Sequence, residues 1–172
     1  MLCRVALISL CLVVPLSGYA GTPAGRPMSV EELTKGAEIV VIGEVLSTQS
    51  DWDAGGRVIL TRVDVRVEEL LKGPPPGRRL SFHQLGGRVG DTVSAVAGAP
   101  SFTPGERVLL FLSRRSDGRL DVESFFQGKF SLERDAASGR EVAVRRVPDS
   151  AQVLDRLQLD QARSWILKAL NP

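Results

Sequence analysis

The chain is short of the residues that carry most protein chemistry. Its 172 residues include 2 cysteines, 1 histidine and 1 tyrosine. Both cysteines, Cys3 and Cys11, fall within the first twenty residues. A chain that starts after Ala20 therefore has no thiol for catalysis, no disulfide and no cysteine-based zinc site. A lone His83 excludes a zinc centre built on histidines, which needs at least two. Aromatic residues make up 5% of the chain, too few to line a face that stacks a long run of bases or sugars. The formal net charge is +2, and the basic residues are spread along the chain, which excludes the clustered basic surface of a nucleic-acid binder. Cofactor motifs are also missing: Gly86-Gly87-Arg88-Val89-Gly90 lacks the Lys-Ser/Thr of a phosphate loop, and no cofactor is expected.

What is present begins with an export signal. Arg4 precedes the apolar run Val5–Leu16, and small residues follow at Ser17-Gly18-Tyr19-Ala20. This is the three-part secretory pattern, and its apolar run is too short to span a bilayer comfortably. Residues 1–20 are expected to be a signal peptide cleaved after Ala20, which delivers the protein to the periplasm or the extracellular space with no membrane span. Neither cysteine ends the apolar run behind a small residue, so lipidation is not expected. Residues 21–28, rich in Gly and Pro, read as a flexible leader, and residues 29–172 as one domain.

Strand patterning dominates that domain. Ser29-Val30-Glu31-Glu32 is a capping box that opens a short helix ending near Gly36. Ile39–Ser47 starts with a continuous apolar run, which implies burial on both faces, and Gly43 marks a bulge. Val58–Leu70 alternates, with Ile59, Thr61, Val63, Val65 and Val67 on one face and Arg62, Asp64, Arg66 and Glu68 on a solvated one. Further strands are expected at 79–85, 92–96, 107–112, 120–126, 129–132 and 141–144, the glycines from Gly86 to Gly90 forming a flexible connection. Asp149-Ser150 would cap a C-terminal helix whose apolar stripe runs from Val153 to Leu170. Arg78-Arg79, Arg114-Arg115 and Arg145-Arg146 read as solvated rims at strand ends. Many short strands with helices at the two ends imply a mainly β domain, a barrel or sandwich.

Candidate sites are few. No Gly-x-Ser-x-Gly elbow accompanies His83, so a hydrolase built on it lacks a visible nucleophile. Asp51-x-Asp53-x-Gly55-Gly56 resembles a calcium loop only in its first half, since Arg62 stands where a bidentate Glu is needed. Trp52, at the tip of that loop, is a candidate anchor for a partner. The segment from Gly98 to Glu106 is stiffened by Pro100 and Pro104 and carries Phe102 as an apolar anchor. It reads either as a crossover covering the barrel or as a binding loop.

Two stretches carry a family resemblance, Ala37–Val45 and Val63-Asp64-Val65-Arg66-Val67-Glu68-Glu69-Leu70-Leu71-Lys72-Gly73. The pattern of an apolar run, a glycine and then Val-x-Val-x-x-Leu-Leu-Lys-Gly resembles netrin-like domains of the tissue-inhibitor-of-metalloproteinase type. It is similar also in uncharacterised exported bacterial proteins, as are Gly98–Val108 and Gln127-Gly128-Lys129-Phe130. The resemblance spans Ala37 to Leu132 and implies an OB-like antiparallel β-barrel with a short N-terminal helix and a C-terminal helix packed on it. Metalloproteinase inhibitors of that type reach the catalytic zinc through an N-terminal cysteine, which a chain beginning at Gly21 lacks, so that mechanism does not carry over.

The expectation that follows is an exported, non-catalytic binding module that contacts another envelope or secreted protein, a peptidase among the options, through Trp52, Phe102, Pro100 and Pro104. Oligosaccharide or cell-wall binding is the alternative, and a hydrolase using His83 comes after it. N-terminal sequencing of the protein recovered outside the cytoplasm should begin at Gly21. A chain still starting at Met1 would mean that the apolar run is retained as an anchor.

Overall fold

Two apolar runs, Ile39–Ile42 and Val108–Leu112, are too dense to bury on one face of a sheet, where side chains alternate. Their solution is two cores on opposite faces of the same strands. The computed structural model describes residues 26–171. The expected signal peptide with both cysteines, and the expected leader up to Gly25, lie outside the described residues. The fold is mainly β, a curled antiparallel half-barrel with two helices. Its elements are α1 (Val30–Gly36), β1 (Ile39–Trp52), β2 (Ile59–Lys72), β3 (Arg79–Leu85), β4 (Gly87–Val89), β5 (Thr92–Ser94), β6 (Arg107–Arg114), β7 (Leu120–Val122), a 3₁₀ turn (Phe125–Gly128), β8 (Lys129–Arg134), β9 (Glu141–Arg146), β10 (Val153–Gln158) and α2 (Leu159–Leu170).

The main sheet runs β10-β9-β8-β6-β1-β2-β3, with β7 paired to β6. β1 is central, since its first half pairs with β6 while its whole length pairs with β2. Ile39, Val41 and Val45 of β1 and Val108, Leu110 and Leu112 of β6 face the inside of the curl, where they meet Val63, Val65, Leu80, Phe82, Leu120 and Val122. The intervening Val40, Ile42, Leu109 and Phe111 face the other way, onto Val30 and Leu33 of α1, Leu159, Ala162 and Ile166 of α2, and Phe130 and Ala143. Gly43 makes the change of curvature possible. The β1–β2 register slips between Ile42 and Gly43, and a Cβ at Gly43 would collide with the Arg66 carbonyl oxygen and lie 2.6 Å from Val65 Cγ1.

The capping box at α1 is formed: Ser29 Oγ accepts the Glu32 N–H at 3.2 Å, and the Glu32 carboxylate accepts the Ser29 N–H at 2.9 Å. At the other end of α1, Lys72 donates to the carbonyls of Thr34 and Ala37, so a β2 side chain closes the helix terminus.

Several expectations are corrected. β1 and β2 form a longer hairpin than the alternation suggests, β1 running on to Trp52. The connection Gly86–Gly90 is structured: β4 and β5 make their own hairpin, and Gly87 packs where a Cβ would strike the paired Ser50 and Thr61 hydroxyls. The strand begun at Leu120 stops at Val122 and gives way to the 3₁₀ turn. No helix starts at Asp149; Val153–Gln158 is the edge strand β10, and α2 begins at Leu159 without a side-chain cap. Asp64, placed on the solvated face of β2, is buried, and accepts hydrogen bonds from Ser81 Oγ at 2.5 Å and Ser47 Oγ at 3.1 Å. Those hydroxyls hold its carboxyl below the ordinary value.

Arg145 is the largest departure. Read as a solvated rim, it is 2% exposed. Its guanidinium donates to the Met28 carbonyl at 2.7 Å, to the Gln127 carbonyl at 3.3 Å and to the Asp155 carboxylate, and lies 5.0 Å from the Phe130 ring centre. Met28 is accordingly tied down at both backbone groups, since its N–H donates to Gln127 Oε1 at 2.7 Å.

Substituting Gly43→Val should cost about 3 kcal/mol of unfolding free energy in a urea titration, the upper range for overpacking a strand with no room to shift. A loss under about 1 kcal/mol would mean that the bulge relaxes around a side chain.

Candidate functional site

The surface over β1, β2 and β3 brings polar side chains together around one exposed aromatic, Trp52. The β1–β2 turn is held by Asp53, whose carboxylate accepts the N–H groups of Arg57 at 2.7 Å and Val58 at 2.9 Å. These backbone bonds keep the Asp53 carboxyl below its ordinary value, and they account for the half-match to a calcium loop: the oxygens serve the turn. Asp51 Oδ1 accepts the Trp52 N–H at 2.8 Å. Trp52, the last residue of β1, is 42% exposed. It borders a hollow of ≈ 300 Å³ with Gln49, Asp51, Leu60, Arg62 and His83.

Strand register explains the convergence. Gln49 pairs across from Arg62, and Arg62 across from His83, so three polar side chains lie in one row over β1, β2 and β3. The row continues past His83 into a small cleft between β3 and β7, lined by Arg115, Arg119, Leu120 and Asp121. Here β7 lies against β3 without pairing to it, which leaves the half-barrel open along this line. Arg115 is paired with Asp121 at 2.9 Å and Arg119 with Asp117 at 2.6 Å. Arg62 is less committed: it is 3.5 Å from Asp64, which is already engaged by two hydroxyls, and 3.4 Å from Gln49 Oε1.

His83 is half-buried, and its ring makes no hydrogen bond to a hydroxyl or a carboxylate among the described residues. Burial lowers its pKa below the ordinary value, and the charges of Arg119 and Arg62 lower it further against the opposing pull of Asp121 and Asp117. The ring is therefore neutral at pH 7 and can serve as one donor and one acceptor.

The other sequence-selected residues fall elsewhere. Phe102 packs edge-on against Phe82 of β3, ring centres 5.2 Å apart, with the Lys129 ammonium 4.8 Å from its ring, so it covers one end of the inner core. Pro100 is buried and borders a separate polar hollow of ≈ 330 Å³ with Glu106, Lys129, Ser131 and Arg146. Within it Lys129 pairs with Glu106 at 2.7 Å, and Ser131 Oγ donates to the same carboxylate at 2.7 Å. Pro104 is exposed on the crossover between β5 and β6. Trp52 and Pro100 thus border different hollows.

Two further features escaped sequence reasoning. Gln49 lies beyond the expected end of the first strand at Ser47, and Arg62 reads as an ordinary solvated position, because alternation gives the face of a residue but not its cross-strand partner. Phe125 is 42% exposed, and it and Ser124 both have left-handed backbone, φ 64° and 50°. No group of three or more potential metal ligands occurs among the described residues, and none of their helices is long and apolar enough to cross a membrane. Comparison of the chain with protein-family models, with curated proteins and with solved structures returns no match in any of the three.

In an NMR titration the His83 ring should ionise below pH 6.5, and Arg119→Gln should raise its midpoint. Because the folded chain disfavours the charged ring, the stability linked to His83 is fully present above pH 6.5 and is lost as pH falls below it. A midpoint at or above 6.5 would contradict the positive surroundings deduced for the ring.

Proposed function

We propose that the protein is an exported, non-catalytic binding module, an OB-like barrel with terminal helices, that contacts another exported protein through its β2–β3 face. The observation that carries this reading is the exposed indole of Trp52 beside the row Gln49–Arg62–His83, with further arginines at its end. Trp and Arg are the side chains most enriched where protein partners bind tightly: they offer large contact area with fixed geometry. The OB-like assignment is supported by β1 being shared between β2 and β6, and by the β1–β2 and β6–β7 turns flanking the β2–β3 face, where barrels of that type hold ligands. If the partner is a peptidase, the mode open to a chain starting at Gly21 is occlusion by this face rather than chelation of a metal.

A second reading, oligosaccharide binding, draws on the same geometry. An indole beside Gln49, Asp51 and His83 offers a stacking surface ringed by hydrogen-bonding groups, enough for one sugar ring. A hydrolase using His83 has less behind it, since among the described residues the ring is not hydrogen-bonded to a nucleophile or an orienting carboxylate.

Cross-linking of the exported protein to envelope and culture-medium fractions of its own cells should trap a defined partner. Trp52→Ala should weaken that complex at least about tenfold and Arg62→Glu similarly, as expected for hot-spot positions. Capture that is equal for all three proteins, or no capture at all, would defeat this reading. A rise in melting temperature with wall polysaccharide that disappears in Trp52→Ala would favour the sugar instead.

A further inference from the structure

A hollow of ≈ 590 Å³, larger than those on the barrel, lies in the helical layer between α1, α2 and the strands β9 and β10. Its size falls within the range of small-molecule sites, and its lining has the matching character. Val30, Leu157, Trp165 and Ala169 supply apolar wall, and Trp165 is left 41% exposed on a helix whose buried residues are Leu159, Ala162 and Ile166. The charged groups are few and mostly matched. Glu31 is held by Lys35 at 2.6 Å, and Asp155 by Arg145. Two donors are left over. Lys168, on the rim, makes no ion pair of its own among the described residues; Glu31, already paired with Lys35, lies near enough to feel its charge, and the lining still carries one more cation than carboxylates. Arg145, which also lines the hollow, is almost fully buried and its Nε–H has no hydrogen-bond partner. A buried donor without an acceptor is rare in folded proteins, and here it sits beside a hollow.

We propose that this hollow binds a small anionic amphiphile, an aliphatic chain ending in a single carboxylate. The apolar wall takes the chain, which leaves water; the surplus positive charge of Lys168 takes the head. A cationic head would be repelled by Lys168 and would find both carboxylates occupied. A neutral head would gain nothing from that surplus charge. The site is separate from the β2–β3 face, so it stands whether or not that face binds a protein.

Trp52→Phe makes Trp165 the sole tryptophan of the chain, which has 2, and its emission then reports on the hollow. Sodium dodecanoate, titrated below its critical micelle concentration, should shift that emission to the blue with one-to-one saturation. Methyl dodecanoate and dodecyltrimethylammonium should bind at least about tenfold more weakly, and acetate should leave the emission unchanged. Lys168→Glu, an exposed helical position, should weaken dodecanoate at least about tenfold while far-UV circular dichroism stays the same. Calorimetry with the unsubstituted protein gives the same affinity without relying on the Trp52 variant. Absence of saturation, equal affinity for the three head groups, or indifference to Lys168→Glu each overturns the proposal. So does a Trp165 shift that depends on protein concentration alone, which would make a second copy of the chain the occupant.

Discussion

Everything in this fold depends on two strands serving two cores at once. β1 and β6 place alternate residues into the curl of the sheet and onto the helices, so that Val40 and Val41, one residue apart, belong to different hydrophobic clusters. Neither core could form alone on an ordinary amphipathic strand, because the second face would then be polar. The arrangement has a strict geometric condition. A sheet that curls on one side while staying flat enough to carry helices on the other needs a local break in its ladder, and Gly43 supplies it where the Arg66 carbonyl comes too close for any side chain.

Because the cores carry the stability, the many surface ion pairs are free to do other things. Arg66–Glu44, Arg107–Glu68, Arg114–Glu38 and Arg146–Glu133 lie on partly exposed faces, where such a pair adds at most about 1 kcal/mol. Their more useful effect is to silence charge, since a paired arginine attracts little. Against that background Arg62 beside Trp52, held to Asp64 only at 3.5 Å, and Lys168 beside Trp165, with no ion pair among the described residues, stand out as the more available cations next to exposed indoles.

Much of this was legible in the sequence where local physics decides. The capping box at Ser29 and Glu32, the bulge at Gly43 and the burial of β1 on both faces follow from residue type and spacing, and all are present. Legibility failed where the answer depended on distant chain. Arg145 looks like a surface residue until Met28, Gln127 and Asp155 arrive to accept its protons. Val153–Gln158 has apolar residues at spacings a helix would accept, yet β9 offers an open edge and the segment pairs with it. The row Gln49–Arg62–His83 needed the register of two strand pairs, which the turn geometry sets and the alternation alone does not. Phe102 reads from the sequence as an apolar anchor for a partner, and in the fold its ring packs on Phe82 within the same chain.

The reach of Arg145 also bears on the order in which the chain is put together. Its bond to the Met28 carbonyl joins positions separated by 117 residues, and the helices it helps to hold come from the two ends of the described chain. Closing so large a loop is entropically costly until the intervening sheet has brought the ends near one another. A chain made from its N-terminus thus presents Val30, Leu33 and Val40 long before Leu159, Ala162 and Ile166 exist to cover them. Of the two described helices, the one made first has to wait for the one made last before its apolar side is fully covered.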